Sequence, residues 1–175
     1  MANIEFKAEL LEIDLARTQC RTLGAQHVET IRQVDTYYRT ATGRIKQRSV
    51  EGREMQWIAY ERPNTPGPRI SRYTILNDEQ ARIRWGEMDW PEWVTVCKTR
   101  EVWTDDNMRI HLDTVDELGV FIEIEAVVDE QHNEQSCRAA IASLREQFRP
   151  ILGEAVPQSY SDLVATGVSS PPDRQ

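Results

Sequence analysis

Apolar and charged residues alternate one for one along several short segments of the chain. Arg109-Ile110-His111-Leu112-Asp113 and Ile122-Glu123-Ile124-Glu125 show the pattern most clearly, and Asn3-Ile4-Glu5-Phe6-Lys7 repeats it near the start. Because successive side chains of a β-strand point to opposite faces, each segment predicts a strand with one apolar face and one polar, charged face. The pattern therefore predicts a sheet with an extensive charged face.

Chain breakers divide the sequence into about eight such extended segments. Gly43, the Pro-rich run at residues 63–68 and the pair Leu118-Gly119 interrupt the alternation, as turns between strands do. The predicted strands lie at about residues 3–7, 27–40, 44–50, 55–63, 70–76, 92–104, 107–114 and 118–127. The fold class expected from this pattern is mostly β, of the α+β type.

Three other segments predict helices. Asp14 is expected to cap a short helix that ends at Gly24, and the weak pattern of residues 78–90 predicts a helix or a helix followed by a loop. The clearest helix, at about residues 133–149, has an apolar stripe at the 3.6-residue period, formed by Cys137, Ile141, Leu144 and Phe148.

The 175 residues fit one domain, predicted at residues 1–165. The last ten residues, 166–175, contain the run Ser169-Ser170-Pro171-Pro172 and predict a disordered tail. The three cysteines are odd in number and far apart, which predicts free thiols rather than a disulfide framework or a metal site.

The net charge of −8 argues against a nucleic-acid partner, because proteins that bind nucleic acids usually carry a basic excess. No apolar stretch approaches the ~20 residues of a membrane span, and the start of the chain lacks the features of a signal peptide. We expect no membrane association, a cytoplasmic location, and a monomer or homodimer.

The alternation places basic and acidic residues on the polar faces of different strands. Eight basic and four acidic residues give these faces a charge of +4, whereas the rest of the chain carries −12. A single charged face is commonly one that faces solvent, but a solvated face usually mixes the two signs on each strand. If the sheet closes, the charged faces point inward and the apolar faces meet the helices outside. The residues are Lys7, Arg44, Lys46, Arg48, Arg62, Lys98, Arg100 and Arg109, with Glu5, Asp113, Glu123 and Glu125.

These residue types predict a ligand that contains both phosphate and metal. Clustered arginines and lysines make charge-assisted hydrogen bonds to phosphate oxygens, and several carboxylates together hold a hard cation such as Mg²⁺ or Mn²⁺. Eight basic groups exceed what one monophosphate uses. A chain of phosphates bound with a divalent ion satisfies both sets of residues.

A series of motifs resembles the CYTH superfamily, also called the triphosphate tunnel metalloenzymes. Residues 3–7 are similar to its ExExK signature, and the later motifs resemble the branch of the class IV adenylate cyclases over about residues 1–165. Those motifs are Asp35-Thr36-Tyr37-Tyr38, Gly43-Arg44-Ile45-Lys46-Gln47-Arg48, Tyr60-Glu61-Arg62-Pro63, Gly67-Pro68-Arg69, Ser71-Arg72-Tyr73, Lys98-Thr99-Arg100, Arg109-Ile110-His111-Leu112-Asp113, Leu118-Gly119-Val120-Phe121-Ile122-Glu123-Ile124-Glu125 and Ser159-Tyr160-Ser161-Asp162-Leu163.

The resemblance implies a closed antiparallel tunnel of eight strands with flanking helices. It implies triphosphate binding by Lys7, Lys46, Arg48, Arg62, Lys98, Arg100 and Arg109, to which strand alternation adds Arg44. It also implies metal binding by Glu5, Asp113, Glu123 and Glu125, with Glu5, Lys7, Glu123 and Glu125 as the catalytic set. The sequence departs from the signature at Asn3, where the family has a glutamate, so the number of metals is open.

The superfamily includes class IV adenylate cyclases, thiamine triphosphatases and inorganic triphosphatases, and the sequence leaves these reactions open. The substrate would be ATP, converted to cyclic AMP and pyrophosphate, or thiamine triphosphate or tripolyphosphate, each hydrolysed. Two alternatives are a catalytically weak module that binds nucleotide or polyphosphate, for which Asn3 argues, and an enzyme that processes RNA triphosphate ends.

Three further residues have two interpretations each. His111 lies on the charged face, as a proton shuttle or as a neutral wall residue that forms hydrogen bonds. Arg69 and Arg72 flank the Pro-rich loop, where they would contact the substrate or face water.

Overall fold

The structure is a computed structural model that describes residues 1–40 and 43–167. The strands are β1 (Ala2–Leu10), β2 (Gln26–Tyr38), β3 (Arg44–Val50), β4 (Gln56–Glu61), β5 (Arg69–Leu76), β6 (Glu92–Asp105), β7 (Met108–Val115), β8 (Gly119–Val127) and β9 (Leu152–Ala155). The helices are α1 (Ile13–Thr22), α2 (Asp78–Trp85), α3 (Glu134–Phe148) and α4 (Tyr160–Thr166), with a 3₁₀ turn at Arg149–Ile151.

Eight antiparallel strands close into a barrel. Around the barrel the order is β1, β5, β4, β3, β2, β6, β7 and β8, and β8 pairs again with β1. The ninth strand, β9, pairs with the second half of β1 through Ala8 and Leu10. The predicted closed eight-stranded architecture is confirmed, and β9 is an addition that the alternation pattern did not reveal.

The apolar faces of β1, β7 and β8 point outward and pack under two helices. Ile4, Phe6 and Ala8 of β1 are at most 1% exposed, and they belong to one apolar cluster in which α3 packs on β1 and α1 packs on β7. Burial of this apolar surface is the main favourable term that holds the helices to the barrel. The helices contribute Ala16, Cys20, Cys137, Ile141 and Phe148 to the same cluster. The barrel therefore has its largest apolar core on the outside.

A second outer cluster joins α2 to β3 and β4. Trp57 is 4% exposed and packs with Ile45, Ala81 and Trp85. Its indole Nε1 donates to Oδ1 of Asp78 at 3.1 Å. Since a buried indole N–H needs an acceptor, this bond fixes the start of α2 against the barrel.

The inside of the barrel is apolar at one end. Tyr37, Val115 and Phe121 have the inward parity of their strands, and they pack with Val96, Val156 and Tyr160. The rings of Phe121 and Tyr160 meet edge to face, with centroids 5.2 Å apart. These six residues fill what we call the closed end of the barrel. α4, which the alternation pattern did not reveal, supplies Tyr160.

Several details differ from the sequence-based expectations. Helix α1 begins at Ile13 with Glu12 at its N-cap, so Asp14 lies in the first turn and does not cap the helix. Helix α2 ends at Trp85, so residues 78–90 form a helix followed by a loop, the second of the two predicted alternatives. Thr166 ends α4, and most of the tail predicted at residues 166–175 lies outside the described residues. The three cysteines are free thiols, as predicted.

Among the described helices, none combines the length and the apolar character that a membrane crossing requires.

Candidate functional site

The inward faces of the barrel strands enclose a cavity of about 390 Å³. Eight basic side chains and five carboxylates line it, although the whole chain has a net charge of −8. The basic residues are Lys7, Lys46, Arg48, Arg53, Arg62, Lys98, Arg100 and Arg109, and the carboxylates belong to Glu5, Glu29, Glu54, Glu123 and Glu125. Ten of the twelve charged residues that strand alternation placed on one face therefore lie around one cavity. The other two are Arg44 and Asp113.

Three lysines, which we call the lysine cluster, lie next to the closed end, two of them buried and Lys46 partly buried. Lys7 and Lys98 are both 3% exposed, and their ammonium groups lie 3.8 Å and 4.8 Å from the centroid of the Tyr160 ring. Lys46 lies 5.4 Å from the Tyr37 ring. Aromatic faces attract cations, so the closed end partly offsets the loss of water around these charges.

Burial lowers the pKa of each lysine in the cluster. The pKa of Lys7 falls to about 8, and that of Lys46 falls to about 7 with a further contribution from Arg48. Burial and the nearby Arg100 lower the pKa of Lys98 as well. A lowered lysine pKa means that the folded protein disfavours the charged form. An anion bound in the cavity would reverse this and stabilise all three ammonium groups.

Asp35 of β2 is a buried partner of two cavity residues. Its carboxylate accepts hydrogen bonds from Lys46 Nζ at 2.8 Å and from Arg48 Nε at 2.7 Å, and it is 1% exposed. Burial would raise the pKa of Asp35, but Lys46 and Arg48 hold it well below its usual range. We did not predict this role, although alternation along β2 puts Asp35 on the same face as Gln33 and Tyr37.

Asp113 lies on the inner face of β7 next to the closed end and is fully buried. Arg100 Nε donates to Oδ1 at 2.7 Å, while Lys98 Nζ and the Tyr160 hydroxyl donate to Oδ2 at 3.3 Å and 2.9 Å. Burial would raise the pKa of Asp113, but Arg100 and Lys98 keep it below its usual range. Both oxygens are thus engaged with groups of the protein, and Asp113 orients two of the cavity cations.

Three carboxylates on β1 and β8 line the cavity, with Glu5 directly opposite Glu125 and Lys7 opposite Glu123. Glu123 contacts Lys7 Nζ at 3.1 Å through Oε1 and Arg100 through Oε2. Burial would raise its pKa, but these two cations hold the pKa of Glu123 well below its usual range. Glu5 Oε1 accepts from Arg69 Nε at 2.9 Å. Both carboxylates therefore have cationic partners.

Glu125 differs because its hydrogen bond comes from a neutral group. Asn3 Nδ2 donates to Glu125 Oε2 at 2.9 Å, and His111 Nδ1 lies 3.6 Å from Oε1. Burial and the negative charge of Glu123 raise the pKa of Glu125. One ligand atom from each of His111, Glu123 and Glu125 lies within 4.8 Å of the other two, a spacing at which the three could hold one metal ion.

His111 is almost fully buried beside these carboxylates. Burial lowers the pKa of His111 well below its usual value, and Arg100 lowers it further, which favours the neutral ring. Its Nδ1 has no hydrogen-bond partner within residues 1–40 and 43–167. The sequence placed His111 on the charged face but did not connect it with Glu125.

The structure also places the remaining arginines. Arg69 is 1% exposed, and besides Glu5 it contacts the carbonyl oxygen of Thr65 at 3.0 Å, so it supports the cavity wall and does not face water. Arg44 is not among the residues that line the cavity, and its guanidinium lies 3.2 Å from Oδ2 of Asp162. Arg109 lines the cavity but is exposed.

Solved structures with the same fold are known. PH1012 from Pyrococcus horikoshii OT3 has a TM-score of 0.74 at 17% identity, over 92% of this chain and 98% of its own. A Vibrio parahaemolyticus protein, described as a candidate adenylate cyclase, has a TM-score of 0.73 at 18% identity, over 93% and 97%. HpAC1 from Hippeastrum, described as a candidate adenylyl cyclase with a dominant triphosphatase activity, has a TM-score of 0.65 at 14% identity, over 97% and 98%.

At this level of identity the structural similarity shows the fold alone. None of the curated protein sequences matches the chain. The model of the CYTH domain family, however, matches residues 1–160. Because that match includes all eight barrel strands and the charged residues on their inner faces, the chain belongs to the CYTH domain family.

Proposed function

We propose that this protein is a divalent-metal-dependent enzyme that binds a triphosphate in the barrel and cleaves it, by hydrolysis or by cyclisation of a nucleotide. The observation that carries the proposal is the lysine cluster, in which two buried lysines and one partly buried lysine lie beside a group of carboxylates. Buried charges of one sign are costly unless an opposite charge compensates for them. A polyphosphate supplies that charge over several adjacent positions.

In this proposal the basic residues of the cavity bind the phosphates. Lys7, Lys46 and Lys98 would bind the phosphates nearest the closed end, where the apolar filling excludes water. Arginines hold phosphate oxygens through two donors at once, which fixes orientation as well as charge. Arg48, Arg62, Arg100 and Arg109 would serve this role. Arg44, which points toward Asp162, is left out of the set.

The acidic residues fit a divalent ion. Glu125 is a partly buried carboxylate whose hydrogen bond comes from the neutral amide of Asn3, and burial together with Glu123 raises its pKa; a bound metal ion would favour its charged form. Glu5, Glu123 and Glu125 would hold Mg²⁺ or Mn²⁺, and Asp113 would orient Lys98 and Arg100. When bound, the ion polarises the phosphoryl group and offsets its developing charge. With Lys7, the three glutamates form the proposed catalytic set.

The cavity favours a substrate with an organic group. Along β2 the inward residues are Tyr37, Asp35, Gln33 and Ile31, and β3 and β6 likewise pass from charged residues to Val50 and Val102. Beyond the charged layer, away from the closed end, the lining mixes the apolar side chains Ile31, Val50 and Val102 with charged residues such as Glu29 and Arg53. A triphosphate that enters phosphate-first would place an attached apolar or aromatic group beside these apolar side chains. Adenosine and thiamine triphosphates fit this arrangement better than tripolyphosphate does.

The structural neighbours do not decide between the two reactions. The Vibrio protein is described as a candidate adenylate cyclase, and the Hippeastrum protein is described with a dominant triphosphatase activity. We therefore propose an enzyme of the lyase or the hydrolase class. Identification of the reaction product would distinguish the two. Location in the cytoplasm, a monomeric or homodimeric state and the absence of a nucleic-acid partner stay predictions.

The test compares ATP, thiamine triphosphate and tripolyphosphate side by side, each with Mg²⁺ and with Mn²⁺. We expect turnover of an organic triphosphate, and chromatography would separate cyclic AMP and pyrophosphate from inorganic phosphate. Glu125→Gln should abolish turnover but keep triphosphate binding in EDTA, because amides ligate Mg²⁺ poorly. Binding without turnover in the wild type would identify a binding module, and absence of both would refute the proposal.

A further inference from the structure

We propose that His111 is itself a metal ligand, which makes the ion site a mixed nitrogen and oxygen site that prefers first-row transition ions over Mg²⁺. The inference rests on the proposed function, since it requires a divalent ion in the barrel. It goes beyond that function because the carboxylates alone would form an all-oxygen site suited to Mg²⁺.

The geometry of three side chains supports this site. His111 Nδ1 lies 3.6 Å from Glu125 Oε1 and 3.9 Å from Glu123 Oε2. Two ligands at about 2.1 Å from one ion are roughly 3.0 Å apart when adjacent in an octahedron and roughly 4.2 Å apart when opposite. The observed separations lie between these limits. One ligand atom from each of the three residues lies within 4.8 Å of the other two, so small side-chain movements would bring all three into contact with one ion.

The ring nitrogen is a second observation, independent of the carboxylates. The His111 side chain is 7% exposed, and its Nδ1 is buried without a hydrogen-bond partner in the described part of the chain. A buried polar atom without a partner costs free energy, so such atoms usually have a ligand, a water or a function. If His111 were only a hydrogen-bonding wall residue, this nitrogen would have a partner in the protein.

Neighbouring contacts leave one carboxylate oxygen available on the same side. Asn3 Nδ2 holds Glu125 Oε2, which leaves Oε1 directed toward His111. Lys7 and Arg100 both contact Glu123, so its charge is partly compensated before an ion binds. Glu125, whose hydrogen bond comes from a neutral amide, and His111, whose Nδ1 has no hydrogen-bond partner in the described residues, are then the groups that a bound cation would stabilise most. Asn3 acts as a positioning residue for Glu125.

The ligand types predict the metal preference. Imidazole nitrogen favours first-row transition ions, whereas Mg²⁺ prefers oxygen ligands. A site with one histidine and two carboxylates should therefore bind Mn²⁺ more tightly than Mg²⁺, and Co²⁺ more tightly than Mn²⁺. Without His111, the two carboxylates should lose most of this preference for transition ions over Mg²⁺.

The test uses metal ions alone, without substrate. Electron paramagnetic resonance would count bound Mn²⁺, and its pulsed form would detect the coupling of the ion to an imidazole nitrogen. We expect this coupling in the wild type and in His132→Gln, a control that removes a histidine outside the cavity. We expect no coupling in His111→Gln. The wild-type spectrum alone tests the ligand, even if the His111 variant does not fold.

Affinities supply the second measurement. Removal of a directly bound ligand should weaken Mn²⁺ binding by at least the ~10–100-fold that loss of an outer-shell partner causes. Mg²⁺ binding, measured by competition, should change by less than about threefold because its ligands are oxygens. Mn²⁺ bound without nitrogen coupling would overturn the role of His111 and leave the proposed enzyme intact. If no divalent ion binds with or without ATP, the proposed metal dependence itself falls.

Discussion

The hydroxyl of Tyr160 donates a 2.9 Å hydrogen bond to Oδ2 of Asp113, and this bond attaches α4 to the inner side of β7. The same carboxylate accepts from Arg100 and Lys98. All four side chains are buried, so water does not readily replace a lost partner. Asp113 therefore links the closed end of the barrel to the cations that line the cavity.

Two substitutions in this hydrogen-bond network should destabilise the protein by different amounts. Tyr160→Phe keeps the ring beside Lys7 and Lys98 but removes the hydrogen bond, and it should lower the free energy of unfolding by about 1–3 kcal/mol. Asp113→Asn should cost more, on the order of 3–5 kcal/mol, because it leaves buried cations without their anion. Urea denaturation measures both. A folded Asp113→Asn variant that has lost Mn²⁺ binding would contradict the structural role and indicate a metal ligand.

Removal of the charge at Lys98 and at Arg100 should have opposite effects on the stability of the protein. The pKa of Lys98 is lowered, so the fold disfavours its charge, whereas ion pairing with Asp113 and Glu123 outweighs burial and raises the pKa of Arg100 well above its usual value. We expect Lys98→Met to preserve or raise the melting temperature and Arg100→Met to lower it. Both variants should bind triphosphate more weakly. A lower melting temperature for both would show that Lys98 is also a structural cation.

Strand parity was sufficient to predict most of the cavity. Glu5, Lys7 and Glu123 could be placed on one face because side chains alternate strictly along a strand. Parity alone did not reveal which end of each face is apolar. Tyr37 and Phe121 have the inward parity, yet they fill the closed end with apolar contacts instead of charge. The identity of the residue at each level, and its distance from the closed end, depends on the register between strands.

The missed contacts join side chains on different elements of the fold. Asp35 and Lys46 are paired across β2 and β3, and Arg69 meets Glu5 across β5 and β1. Arg44 has the same strand parity as Lys46, but the Arg44 side chain forms an ion pair with Asp162 and does not line the cavity. In each case the deciding partner is 11 to 118 residues away in sequence, so the local pattern carries no signal for it.

Binding of a triphosphate should draw protons onto the lysine cluster. The pKa of Lys46 is about 7 in the fold, below the usual 10.5, so between these values the unfolded chain binds more protons than the folded one. The stability contribution of Lys46 therefore increases with pH across that window. A bound anion favours the charged lysine and should raise its pKa again. At pH 8 we expect uptake of about one proton when ATP binds in EDTA.

Calorimetry in HEPES and in Tris measures this uptake, because the two buffers release protons with different enthalpies. The phosphates of ATP have largely lost their protons at pH 8, so they contribute little. Lys46→Arg is the matched control, since arginine keeps its charge and the position then has no proton to gain. Equal uptake in the wild type and in Lys46→Arg would show that Lys46 does not contact the phosphates.

Asn3→Glu provides a test of the first position of the signature. In the wild type the amide of Asn3 donates to Glu125, and Asn3 Oδ1 is buried with no partner in residues 1–40 and 43–167. A glutamate there would place a second carboxylate against Glu125, whose pKa is already raised by burial and by Glu123. We therefore expect Asn3→Glu to be less stable than the wild type without metal, because two buried carboxylates repel each other.

A divalent ion should reverse that loss. Each additional carboxylate strengthens the attraction for a hard cation, so Asn3→Glu should bind Mg²⁺ and Mn²⁺ more tightly and should show a larger rise in melting temperature when either ion is added. Asn3→Gln, which keeps an amide, is the control and should show neither effect. The decisive quantity is the half-saturating metal concentration for the rise in melting temperature. If this concentration is unchanged or higher in Asn3→Glu, residue 3 does not belong to the metal site, and the amide serves only to orient Glu125.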